Sequence, residues 1–197
     1  MCCKMEERCK LEKMIIISAP SGAGKTTLVM RLLREFPHLA FSVSATSRAP
    51  RGTEQNGIDY HFLTAGEFDT AVKQGEFVEW EEVYPGTCYG TLHSELDRLW
   101  NEGKTIIFDV DVRGGIRLKE IFGPRALSVF IMPPSIGELR RRLVARGTDA
   151  PETIDKRVDK AEQEISLNSR FDRIVVNDNL EEAYLQLKAT IREFMHQ

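Results

Sequence analysis

The sequence has few cysteines, few aromatic residues, almost no excess charge and no long apolar run. Its 197 residues include four cysteines, Cys2, Cys3, Cys9 and Cys88. Three of them lie in a charged leader, their spacing matches no zinc pattern, and no second Cys/His pair completes one. With no signal peptide and no apolar stretch of transmembrane length, the chain reads as cytoplasmic, with no membrane partner and with reduced thiols. A formal net charge of −3 argues against a general nucleic-acid binder, so any anion site must come from local clusters. Hydrophobic content of 42% and charged content of 29% are ordinary for a globular protein, and the length suits one domain with inserted subdomains. Residues 1–12 read as a disordered leader ahead of Met14. No internal repeat or low-complexity segment is present.

What is present centres on Met14 to Leu28, MIIISAPSGAGKTTL. Met14 to Ser18 is a continuous apolar run that suits a strand buried on both faces. Ala19, Pro20, Ser21, Gly22, Ala23 and Gly24 form a turn of mostly small residues. Lys25, Thr26 and Thr27 then open an amphipathic helix. Strand, glycine-rich turn and helix with Gly-Lys-Thr make a phosphate-binding loop. Backbone N–H groups and the helix N-terminus would face phosphate oxygens, Lys25 would reach the β- and γ-phosphates, and the Thr26 hydroxyl would ligate Mg²⁺. The usual first glycine is Ala19 here, so the backbone must follow a path that needs no positive φ at that residue.

Further along, buried runs at 105–110, 126–132 and 173–176 alternate with helical segments at 93–102, 116–122, 135–145, 151–168 and 180–194. This predicts an α/β fold, a parallel sheet flanked by helices, with ligands at the carboxyl ends of its strands. Ser135-x-x-Glu138 reads as a capping box, and Asp149 with Pro151 as the start of the following helix. Between the first helix and residue 92 lies a β-rich block. It contains a strand at 39–44, a tight hairpin at Asn56-Gly57 leading into a strand at 58–63, a capped helix from Thr64, and a strand at 77–83 that returns after a turn. The expected organisation is a core of 13–39, 92–134 and 169–197, an insert of 40–91 and a helical lid of 135–168.

Three clusters carry chemistry. Arg48 and Arg51, with Ser44 and Tyr60, suit a second phosphate group or, equally, a solvated basic loop. Asp109 ends the 105–110 strand, where an acid holds the Mg²⁺ shell of a phosphate-binding loop. Asp111 would share its side if the strand continued. Glu79 lies in an alternating strand. Arg142 and Arg146 are four apart on one helix, and with Arg157 they form either a lid over a polyphosphate or a salt-bridged surface. Arg140 and Arg141 point elsewhere.

The motifs S-G-A-G-K-T, S-V-S-A-T-S-R-A-P-R-G-x-E-x-x-G-x-D-Y-x-F, E-F-V-E-W, Y-G-T, F-D-V-D-V, R-R-L-x-x-R-G-T-D and V-N-D-N-L resemble guanylate kinases, in order, from Ile15 to about Phe194. The resemblance implies a P-loop nucleoside monophosphate kinase whose substrates are ATP and GMP, with Mg²⁺ as cofactor. It assigns Arg48, Arg51, Tyr60 and Tyr89 to the GMP phosphate and Ser44, Glu79, Thr91 and Asp111 to guanine, with Asp109 beside them. Lys25, Arg142, Arg146 and Arg157 match residues that embrace the ATP phosphates. Lys25, Arg48, Arg142, Arg146 and Arg157 would thus be catalytic, while Asn177 and Asp178 would lie by the adenine. Two departures stand out. Arg113-Gly114-Gly115 replaces a glutamine and a single glycine, and residues 1–12 have no counterpart. The alternatives are an inactive protein-binding module of the same fold and a kinase for another monophosphate. A homo-oligomer is compatible with the sequence.

Overall fold

The computed structural model describes residues 13–147 and 150–196. The leader and the expected helix cap at Asp149 lie outside the described residues. Five parallel strands form the main sheet: β1 (Met14–Ser18), β2 (Leu39–Phe41), β7 (Thr105–Val110), β8 (Ala126–Met132) and β9 (Arg173–Val176), in the order β2-β7-β1-β8-β9. The central strand shows why the sheet is two-faced. Ile15 and Ile17 point into one cluster, with Leu28 and Leu32 of α1 (Lys25–Glu35), Leu139 and Leu143 of α5 (Ile136–Ala145) and Leu187 and Ile191 of α7 (Leu180–His196). Met14 and Ile16 point the other way, to Leu96 and Leu99 of α3 (His93–Asn101) and Leu118 and Phe122 of α4 (Val112–Phe122). Alternation along a strand requires this division. Each such buried aliphatic side chain contributes roughly 2 kcal/mol, so the sheet is a rigid floor for whatever its carboxyl ends hold.

The second sheet has the order β4-β3-β6-β5, from β3 (Ala45–Thr46), β4 (His61–Phe62), β5 (Phe77–Tyr84) and β6 (Thr87–Leu92). Here the structure departs from the sequence expectation. The strand expected over 39–44 splits. The Ser42 N–H still donates to Ile107 O at 2.9 Å, but the Val43 N–H turns to the buried Glu95 carboxylate, and β3 joins the other sheet. Asn56-Gly57 makes no hairpin. Gly57, at φ +77°, donates to Tyr60 O, the Asn56 side chain accepts from the Phe62 N–H, and β4 runs parallel to β3. A side-chain acceptor has replaced strand pairing there, which leaves a compact loop.

The expected box at Thr64–Glu67 caps α2 (Ala65–Lys73). At Ser135 only half of one forms. Ser135 Oγ accepts from the Glu138 N–H, but the Glu138 carboxylate goes to Arg141 and Arg142. Helix α6 (Pro151–Ile165) stops short of Asn168, where a 3₁₀ turn begins. No helix among the described residues is long and apolar enough to cross a membrane.

Candidate active site

At the carboxyl ends of β1 and β7 a cavity of about 590 Å³ opens between the two sheets and the α5–α6 pair. Its floor is the loop from Ala19 to Gly24, which β1 delivers and α1 leaves. Gly22 and Gly24 have φ of +92° and +88°, and no residue other than glycine has a positive φ among those described. Ala19 is therefore accommodated in an ordinary backbone conformation, and the strained positions fall on the two glycines. Pro20, Ser21, Ala23, Thr26 and Thr27 also line the cavity. Lys25 Nζ donates to Val110 O at 2.9 Å and pairs with the Asp109 carboxylate. That contact follows from the sheet: Ile17 of β1 stands opposite Asp109 of β7.

The opposite wall is the face of the β5–β6 ladder. Glu79 pairs with Thr91 and Glu81 with Tyr89 across the strands, so the alternate residues Glu79, Glu81 and Val83 share the cavity face with Tyr89. Thr91 Oγ1 donates to Glu79 Oε1 at 2.9 Å. Glu79 is 9% exposed. Burial is the main cause that lifts its pKa to about 7; the Thr91 hydroxyl opposes the shift and the Asp111 charge adds to it. Asp111 is not a continuation of β7. It caps α4, accepting from the Gly114 N–H at 2.7 Å, because the helix begins at Val112, four residues earlier than the periodicity suggests. The cap still delivers Asp111 to the cavity, and a Cβ on Gly114 would lie 3.4 Å from Glu79 Oε2 and 3.5 Å from Asp111 Oδ1. The two carboxylates thus face one small space.

A basic group adjoins the wall through Tyr60 and Tyr89. The Arg48 guanidinium stacks over Tyr60, donates from Nε to Tyr89 Oη at 3.0 Å, and is held bidentately by Glu54 at 2.6 and 2.8 Å. Its bond to Arg48 and one from the Arg51 N–H depress Glu54 to about 2. Ser44 and Tyr60 line the cavity, whereas Arg48 and the exposed Arg51 do not. From the helical pair come Arg142, Arg146 and Arg157. Glu138 holds Arg142 at 2.8 Å, and Arg157 reaches Ser21 of the loop at 3.3 Å. Arg140 pairs with Asp155 and Arg141 with Glu138, away from the cavity as expected.

Asn177, expected by the adenine, lies under the phosphate-binding loop. It is 4% exposed, does not line the cavity, and donates from Nδ2 to Ala23 O at 2.7 Å. It braces the loop from beneath, because its own N–H is tied to Met132 O at the end of β8. Asp178 is exposed. The sequence reading missed Glu81, Gly114, Lys160 and Glu164, all of which line the cavity. Two spacings could have found three of them. Glu81 follows Glu79 by one strand period, and Arg157, Lys160 and Glu164 fall on one helical stripe.

Known proteins resemble this chain over nearly all of its length. The sequence pattern described as guanylate kinase matches residues 11–194. A guanylate kinase from Porphyromonas gingivalis is 54% identical over 94% of this chain and 99% of its own length. One from Bacteroides thetaiotaomicron is 50% identical over 93% of this chain and 90% of its own. The crystal structure of guanylate kinase from Anaplasma phagocytophilum superposes with a TM-score of 0.76 at 30% identity, covering 94% of this chain and 87% of that one. The chain belongs to the guanylate kinase family.

Proposed function

We propose that the protein transfers the γ-phosphoryl group of ATP to GMP, giving ADP and GDP. One observation carries this reading. A single cavity has a phosphate-binding loop with Lys25 as its floor and a buried carboxylate, Glu79, with Asp111 on its wall, and Arg142, Arg146 and Arg157 line it too. Guanine offers N1–H and N2–H₂ on one edge, all donors, and two carboxylates are matched acceptors. Adenine presents an unprotonated N1 there, so it would set a lone pair against a carboxylate. Sites of this kind discriminate by ~10⁴ or more. Thr91 orients Glu79, and the Ser44 hydroxyl is left to meet O6. Arg48, Tyr60 and Tyr89, with Arg51 nearby, suit the GMP phosphate.

The acceptor is a phosphate monoester with a second pKa of about 6, largely dianionic at neutral pH, and needs no strong base. One of its oxygens forms the new bond to the γ-phosphorus. The bond to the β,γ-bridging oxygen breaks, and ADP leaves with the electron pair. Catalysis is then positioning and charge neutralisation by Lys25, Arg48, Arg142, Arg146 and Arg157. Among the described residues no cluster of three acidic, histidine or cysteine ligands could hold a metal. That suits Mg²⁺, which keeps water and phosphate ligands and takes one or two from protein. Thr26 and Asp109 would hold it, and when bound it would neutralise β- and γ-phosphate charge. In this reading residues 40–91 carry GMP, residues 135–168 close over ATP, and the remainder is the core.

The test is ADP release from ATP–Mg²⁺ with GMP, AMP, UMP or CMP offered separately. Turnover with GMP and little with the others is expected. Preference for another monophosphate would overturn the Glu79–Asp111 assignment. No turnover with any, in folded protein that binds GMP, would favour a binding module.

A further inference from the structure

Glu81 lines the cavity on the wall that holds Glu79, and the reading above leaves it without a task. Its side chain is 15% exposed, and Oε2 is buried with no hydrogen-bond partner among the described residues. Arg113 stands 3.9 Å from Oε1, with its own side chain 72% exposed to screening solvent. Arg117, on the same helix, spends a donor on Trp80 O at 2.5 Å. Burial and the neighbouring Asp111 charge both raise the Glu81 pKa, and Arg117, Arg113 and Lys160 only partly offset them. A half-buried carboxylate in this condition is costly until a donor arrives.

Across the cavity, on the helical pair, is Lys160. It lies one turn beyond Arg157 on α6, lines the same cavity, and stands 3.6 Å from Glu164. Burial is the main cause that raises the Glu164 pKa, and Lys160 opposes it. Opposite charges therefore face each other from the two parts of the chain that would carry the two substrates. Glu81 sits on the wall that holds Glu79, and Lys160 on the helix that holds Arg157.

We propose that Glu81 and Lys160 are a positioning pair, in which Lys160 is the donor that the Glu81 carboxylate lacks and their approach couples closure over ATP to docking of GMP. This rests on the reading of the cavity as an ATP and GMP site. Neither residue needs to touch a reacting atom. The pair would act by making occupation of one site favour the arrangement that the other requires, which is a reciprocal coupling between bindings.

The test is calorimetric titration of GMP into the full chain, alone and with Mg²⁺ and β,γ-methylene-ATP. In the wild type the analogue is expected to tighten GMP by about 5-fold or more, in the usual range for such coupling. Glu81→Gln and Lys160→Met should each abolish most of that tightening and leave GMP affinity without the analogue within about 2-fold, whereas Lys160→Arg should keep it. The double variant should be no worse than either single one, because one interaction is lost once. Absence of tightening in the wild type, its survival in Glu81→Gln, or additive losses in the double variant would overturn the pair. Weakened GMP with unchanged dGMP in Glu81→Gln, without the analogue, would do so too, by assigning Glu81 to the ribose. GMP-dependent turnover would stand in every one of these cases, so failure of the pair is distinct from failure of the proposed reaction.

Discussion

The side-chain amide of Asn177 donates to the Ala23 carbonyl, and a Cβ placed on Gly24 would collide with the same amide nitrogen. The strand β9 thereby fixes the curvature of the phosphate-binding loop from below. Gly24 is doubly constrained, by a φ of +88° and by that contact. Gly24→Ala should therefore cost at least 100-fold in kcat/KM for ATP. Asn177→Ala leaves a buried carbonyl unpaired, at about 1–3 kcal/mol. It should lower the melting temperature and raise KM for ATP with KM for GMP unchanged. Steady-state kinetics in each substrate separates the two effects.

Glu79 gives GMP recognition a pH dependence of known sign. Guanine needs the ionised carboxylate, and the folded protein holds this group at about 7. GMP affinity should rise as pH increases through about 7, in titrations from pH 5.5 to 8.5. In Glu79→Gln that inflection should vanish, and affinity should fall at every pH, because an amide presents a donor to a donor. Stability runs oppositely. A raised pKa in the fold means a contribution fully present below the ordinary value of 4.5 and lost as pH rises through about 7. Glu79→Gln should thus gain on the wild type in urea midpoint between pH 5 and pH 8.

Lys25 is held at the cavity floor by Val110 O and Asp109, whereas Glu79, bonded by Thr91, lies on the β5–β6 wall. Its charge is placed for the transferring group and not for guanine. Lys25→Ala should lower kcat by orders of magnitude with GMP affinity nearly intact. A near-wild-type kcat in single-turnover measurements would exclude the role.

Arg48 is fixed by several partners, Ala49 O and the Phe62 ring among them, and its fork is the feature they hold. Glu54 takes two of its donors, Tyr89 a third, and Tyr60 underlies its plane. Arg48→Lys keeps the charge and loses the planar fork, so kcat/KM for GMP should fall by about 10–100-fold. Glu54→Ala should act in the same direction, through KM more than kcat, because the guanidinium loses its mount.

The main sheet was legible because β1, β7 and β8 are continuous apolar runs, and the loop because Gly-Lys-Thr follows one of them directly. The small sheet was less so. β3 and β4 are two residues long and are held by partners distant in sequence, so neither has a period to detect. Asp111 read as a strand residue since Gly114-Gly115 obscures the first turn of α4. Its capping bond shows why a carboxylate sits there. The strand before Asn177, expected to be buried, is the edge strand β9, and Ile174 and Val176 on it are exposed. The task of Asn177 beneath the loop depended on the packing of β9 against β8. Lys160 and Glu81 were hidden among the other charges of a helix and a strand, and only the cavity distinguishes them from solvent-facing neighbours.

Adjacent glycines on α4 should respond differently to the same change. On Gly115, a Cβ would run into Ser18 Oγ and lie 3.3 Å from Phe171 and 3.4 Å from Ile16, so the helix could not keep its approach to β1. Gly115→Ala should destabilise the fold by roughly 1–3 kcal/mol, the usual cost of overpacking, with a lower urea midpoint. The Gly114 Cβ would meet Glu79, Asp111 and Val110, all at ordinary contact distance. Gly114→Ala should leave the urea midpoint nearly unchanged. It fills the space into which both carboxylates point, so KM for GMP should rise about 10-fold or more while KM for ATP stays put. If Gly114→Ala left KM for GMP unaltered, guanine would have to lie elsewhere than between Glu79 and Asp111.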